Sequence, residues 1–238
     1  MAQLVMELRL LARRFENLLA VAIIPVAVLV FFTSTSAVAT PGDRPIDFLL
    51  PGALALAVIA AGLVNLGIAT AYERSYGVLK RLGGSPLGRT GLIAAKVGSV
   101  AVVVAIQVAV LTAVAVAGLD WSPGTGWSPV GLIVTLALGT ITFAALGLLL
   151  AGALRAEATL ALVNGLFIAA MLLGGIIVPT SELPGDIGLV ADVLPFAALA
   201  DALRVSLGDH GNARVSLVVV AAWGAGAIAA AIRTFRWD

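Results

Sequence analysis

Residues able to do chemistry are scarce in this chain. It has no cysteine and a single histidine, His210. Disulfides, thiolate metal sites and cysteine nucleophiles are thereby excluded, and one histidine cannot build a multi-histidine metal site. An intramembrane serine protease would need a Gly-x-Ser-x-Gly-like serine and a membrane-embedded histidine. His210 instead sits in Gly208-Asp209-His210-Gly211-Asn212, a turn sequence. Glu7, Glu16, Glu73, Glu157 and Asp238 are scattered, so a lipid-modifying transferase with an acidic metal cluster finds little support. There is no Gly-x-x-x-x-Gly-Lys-Ser/Thr loop, so the chain is not expected to cradle ATP phosphates. What remains is a few amides inside apolar runs, Asn65, Gln107 and Asn164, and one polar stretch at 72–89.

The elements that carry these groups follow from composition. The chain of 238 residues is 61% hydrophobic and 11% charged, with a mean hydropathy of +1.12. A soluble domain carries about a quarter charged residues, so lipid must be the solvent for much of this one. A net charge of +1 argues against a nucleic-acid partner. A spanning helix needs about 20 mostly apolar residues. Six runs qualify, at 18–39, 48–71, 92–119, 129–154, 158–178 and 215–232. The expected fold is therefore all-α: a single polytopic membrane domain over 1–238 with six transmembrane helices. No clean internal repeat supports an inverted-repeat transporter.

Residues 179–214 are apolar in part but broken by Pro184, Gly185, Gly188, Pro195 and Gly208, with Glu182, Asp186, Asp192, Asp201 and Asp209 interspersed. They read as two short re-entrant helices on the outer side, tolerated where protein or water covers the backbone. Eleven Lys and Arg residues fall on one side of the six-span scheme, among them Arg9, Arg74, Lys80, Lys96, Arg155 and Arg233. Only Arg44, Arg204 and Arg214 fall on the other. The positive-inside rule then places both termini in the cytoplasm. At 1–17, Leu4, Leu8, Leu11 and Phe15 share one helical face and Arg9, Arg13 and Glu16 the other, as in an amphipathic interfacial helix. The alternative is a signal peptide cleaved after Ala39, which would start the chain at Thr40.

The 72–89 stretch has a physics of its own. Glu73 and Arg74 open it where the second apolar run ends. Val78, Leu79 and Leu82 make a short apolar stripe beside Lys80 and Arg81, Gly83-Gly84 ends the helix, and Ser85-Pro86 turns the chain. The product is a short, stiff helix held at the membrane face; the simpler reading is an ordinary basic inside loop.

This stretch resembles the signature of the ABC-2 type permeases, the family that includes bacterial drug, antibiotic and polysaccharide exporters. There the loop reads approximately Glu-Arg, Gly-Thr-Leu, a basic residue, Leu, and later Ser/Thr-Pro-Leu. Glu73, Arg74, Gly77, Leu79, Lys80, Leu82, Ser85, Pro86 and Leu87 match, while Val78 replaces the usual Thr and Gly83-Gly84 a more polar pair. A second likeness is Leu183-Pro184, Leu194-Pro195-Phe196 and then Asp201-Ala202-Leu203-Arg204.

The resemblance implies that the helix after span two is a coupling helix docked in a groove of a separate ATPase subunit. Glu73 and Arg74 would anchor it, and Leu79 and Leu82 would pack on the ATPase. It implies two ATPases, which hold the ATP and Mg, and two permeases, a homodimer by default, in contact with membrane lipids. Spans two and five would line the path of a small hydrophobic substrate, with Asn65, Gln107, Asn164, Phe167 and Met171 as path candidates. Interhelical hydrogen bonds are the plainer use of the amides. Pro184, Pro195, Phe196, Asp201 and Arg204 would belong to an outer gate, where Asp201 and Arg204 are spaced to pair or stay as a solvated ion pair. Gly62, Gly67, Gly147 and Gly152 read as close helix-packing sites. No span carries an obvious central charge, which counts against proton or sodium coupling. A channel or a scaffold without ATP-driven transport is the rival reading.

Overall fold

The computed structural model describes residues 15–35, 40–42, 44–83 and 88–234, and the side chains of 23–35, 40–42, 44–80 and 91–234. Residues 1–14 of the expected interfacial helix, Ser85 and Pro86 lie outside the described residues. Everything described is helix or connection. In chain order the elements are α1 (Phe15–Thr35), α2 (Pro45–Ser75), α3 (Val78–Gly83), α4 (Gly88–Gly118), α5 (Pro129–Ala153), α6 (Ala156–Leu173), α7 (Ile187–Asp192), α8 (Pro195–Ser206) and α9 (Ala213–Thr234). Among the described residues, α2, α4, α5, α6 and α9 are long and apolar enough to cross a membrane. α1 occupies the position of the first expected span, and its described apolar part is Ile23–Thr35.

Local chemistry sets several helix starts. Proline stands in the first turn of α2, α5 and α8, where its missing N–H costs nothing. Ser128 caps α5, its Oγ accepting from the Gly131 N–H at 3.0 Å.

α2 is the hub. Its apolar window is 89% buried, against 17–50% for the other four spans, and it packs on α1, α4, α5, α6 and α8. Residues Ala60–Asn65 form a π-helical turn within it, a local widening that recurs at functional positions. Beside that turn α2 and α5 touch backbone to backbone. A Cβ on Gly62 would lie 2.9 Å from Ala144 N, and one on Gly147 would lie 2.5 Å from Gly62 O. The expected packing role of Gly62, Gly67 and Gly147 is seen directly.

Two boundaries differ from expectation. α2 runs to Ser75, so Glu73 and Arg74 sit in its last turn and not in a loop. Both find partners on neighbouring helices, which lets the helix continue past its apolar residues. α6 stops at Leu173 and the chain breaks at Gly174-Gly175, although Ile176-Ile177-Val178 keeps the apolar run going. Ile176 and Ile177 are buried in an irregular turn.

The 179–214 segment folds back into the bundle. α8 lies along α5, with Ser206 against Thr135 at 3.3 Å and Phe196 stacked on Phe143 at 5.7 Å. Phe143 is about 21 Å into α5 at 1.5 Å per residue, so the α7–α8 turn reaches deep into the bundle. The loops sort to two ends. Arg44 Nη2 donates to Asp120 O at 2.5 Å, Gly124 N to Leu207 O at 3.0 Å and Ser128 N to Ser206 O at 3.0 Å, which ties three connections together at one end. The opposite end carries Arg74, Lys80, Arg155 and Arg233 and is called the basic end below.

Candidate functional site

The basic end of α2 is a clamp. The Glu73 carboxylate accepts from Lys96 Nζ of α4 at 2.6 Å, with the lysine side chain 3% exposed. The next residue, Arg74, turns to α5, donating through Nη1 to Gly152 O at 2.6 Å and through Nη2 to Leu154 O at 2.5 Å. These carbonyls close the C-terminus of α5, where acceptors lack intrahelical partners and the dipole favours a cation. Two adjacent residues thus bind α2 to two other helices by charge-assisted hydrogen bonds.

The turn that follows aims α3. Gly77 N donates to Arg74 O and Tyr76 N to Tyr72 O, both at 2.9 Å. Gly77 has φ +71°, the left-handed conformation that ends a helix at little cost only for glycine. α3 then runs for six residues and packs back on the last part of α2. Leu79 is 1% exposed. It is buried within the chain and seats α3, so the expectation that Leu79 packs on an ATPase is corrected: a six-residue helix must bury one side chain to stay attached. The outward positions are Tyr76, Val78 and Lys80, with Tyr76 73% exposed. Arg81 and Leu82 lie on α3, but their side chains are outside the described set.

A small cleft of about 50 Å³ lies above the clamp between α2 and α4, lined by Asn65, Glu73, Lys96 and Ser99 among apolar neighbours. It has room for about one water. Asn65 ends the π-helical turn, so the widened backbone opens onto the ion pair.

The path candidates fall in different places. Gln107 is buried on α4. Asn164 is on the exposed face of α6, and its Nδ2 donates to Leu160 O of its own helix at 2.8 Å, which corrects the interhelical reading for this residue. Phe167 and Met171 are half-buried against the core. α6 does lie beside α2, but the five residues do not share one wall.

At the opposite end, Arg204 of α8 is 8% exposed while the Asp201 side chain is 45% exposed, so the pair is solvated on its acidic side only. Its Nη1 donates to Asp201 Oδ1 at 2.6 Å, its Nη2 donates to Gly175 O, and its guanidinium lies 4.0 Å from the Phe48 ring centre. Burial pushes the guanidinium below its usual range, and the Asp201 carboxylate opposes that shift. The group faces a cavity of about 430 Å³ that also touches Asp47, Trp121 and Asp209. Phe196 and Pro195 are buried at the foot of α8, while Pro184 is exposed in the bend before α7 and takes no part. His210 is in an exposed turn.

Lys96 and Phe48 are the residues that sequence reasoning missed. Lys96 was a signal in plain sight: a lone cation at the fifth residue of the apolar run at 92–119, where a charge demands a partner.

The sequence matches the family model of the ABC-2 type transporter over residues 2–207. No curated protein matches it. The matched region takes in the clamp, the short helix that follows it and the re-entrant pair. The chain belongs to the ABC-2 type transporter family, as the membrane-spanning permease subunit of an ABC transporter.

Proposed function

We propose that this permease exports a hydrophobic drug, antibiotic or lipid-like compound, using ATP hydrolysed with Mg by a separate ATPase subunit. The working unit holds two ATPases and two permeases, with two copies of this chain as the simplest composition. It sits in a bacterial cell membrane with the basic end and both termini in the cytoplasm.

The observation that carries this reading is the clamp. Force applied to the outward face of α3 reaches α2 through the Gly77 turn. From α2 it passes to α4 through Glu73–Lys96 and to α5 through Arg74. α2 is packed on nearly all sides, so its displacement must move its neighbours. A displaced α2 also meets α8, whose Arg204 lies over Phe48 at the opposite end. A short lever at one end is therefore mechanically connected to the plug at the other. Span two, being so enclosed, acts in this reading as the transmission, with Val64, Asn65, Ile68 and Ala69 the half-buried positions of its middle.

The test is co-purification followed by activity. The tagged permease should bring down an ATPase chain whose hydrolysis rises when cargo is added in vesicles. A channel or scaffold would purify without an ATPase and conduct or bind without nucleotide.

A further inference from the structure

On one flank of the bundle an open groove of about 430 Å³ runs between α5 and α9. It is lined by Leu146 and Leu149 of α5 and by Ala222, Trp223, Gly226 and Ala227 of α9. The one polar side-chain group in that lining is the Trp223 indole N–H, and it is already committed to Val193 O at 3.0 Å. That bond fixes the ring as a rigid wall, tied to the foot of the re-entrant turn. A Cβ at Gly226 would meet nothing within 4 Å, so packing inside the chain does not require glycine there; the missing side chain deepens the groove. Both walls belong to helices long and apolar enough to cross a membrane. The groove therefore opens to hydrocarbon, where only an apolar occupant is stable.

The charge above the groove narrows the choice. Gly226 and Arg233 are seven residues apart, two helical turns, so they lie on the same face with Arg233 about 10 Å nearer the basic end. Arg233 is exposed and α9 contains no acidic residue to neutralise it. An apolar slot ending beneath an exposed guanidinium matches the two parts of a phospholipid: an acyl chain and a phosphate. We propose that the α5–α9 groove binds one phospholipid of the basic-end leaflet, its acyl chain against Gly226 and Trp223 and its anionic headgroup on Arg233.

The test uses Trp223 as the reporter. The full chain with Trp121, Trp127 and Trp237 changed to Phe is reconstituted in phosphatidylcholine vesicles. Phosphatidylglycerol brominated at mid-chain is titrated in, and brominated phosphatidylcholine in a parallel series. Half-quenching of Trp223 is expected at an anionic fraction about fivefold lower than the zwitterionic one, the ratio expected for one arginine at a membrane surface. R233Q should abolish the difference, and G226F should reduce quenching by both lipids. If the triple variant does not fold, the same titrations are run on the native chain and on W223F, and the difference is read. Equal quenching by the two lipids would overturn the proposal in favour of ordinary boundary lipid. No quenching by either would overturn it in favour of a second copy or another helix covering the groove.

Discussion

Lys96 and Glu73 form a pair whose value depends on both members being present. Removing one partner of a buried ion pair leaves an uncompensated charge and costs about 3–5 kcal/mol, whereas replacing both with apolar residues is often neutral. K96M and E73M should each lower the unfolding midpoint strongly, and E73M/K96M should recover most of the loss. Denaturant unfolding followed by tryptophan emission reads this. Arg74 differs because it forks between two carbonyls of one helix end. R74A should lose about 1.5–3 kcal/mol for each charged hydrogen bond. R74K should recover only part, since an ammonium lacks the planar fork. The residues of this clamp were half legible. Glu73 and Arg74 stood out as charges at the end of an apolar run. The direction of Leu79 did not, because six residues are too few for a helical period to separate an inner face from an outer one. Asn164 was opaque for another reason: its own i−4 carbonyl is always within reach, so an apolar setting alone cannot show whether an amide bonds across or within its helix.

At the scale of elements, the α2–α5 crossing and the Gly77 turn carry the architecture. G147A would put a methyl 2.5 Å from Gly62 O, and backbone cannot swing aside as a side chain does. The helices must separate, at about 1–3 kcal/mol, which thermal unfolding in detergent should show as a lower midpoint. G77V forces a β-branched residue into φ +71°, against a left-handed penalty of about 1–2 kcal/mol. Insertion should persist, because the spans are untouched, while cargo-stimulated ATP hydrolysis should fall to the unstimulated level. The apolar runs located the long helices to within a few residues. They missed the end of α2, since whether a helix continues through Glu73 and Arg74 depends on partners 23 and 78 residues away in sequence. They overran α6, because Ile176 and Ile177 are apolar for burial in a turn and not for spanning. The break of 179–214 into two short helices was legible from its prolines and glycines, which no crossing helix would tolerate so densely.

The whole molecule is a bundle wrapped around α2, with loops sorted to two ends by hydrogen bonds that cross long stretches of sequence. That sorting agrees with the grouping of charges along the chain, since Arg44 meets the 119–128 connection and Arg74 meets the end of α5. One end presents a short helix with Val78 and Lys80 exposed; the other holds the buried Arg204 of α8. The outward face of α3 is the surface expected to receive an ATPase. A photo-crosslinking amino acid placed at Val78, in membranes where the chain is expressed with its ATPase, tests this most directly. The expected result is a covalent adduct with the ATPase from Val78 and none from the same probe at His210, at the opposite end. An adduct from His210 with none from Val78 would contradict it.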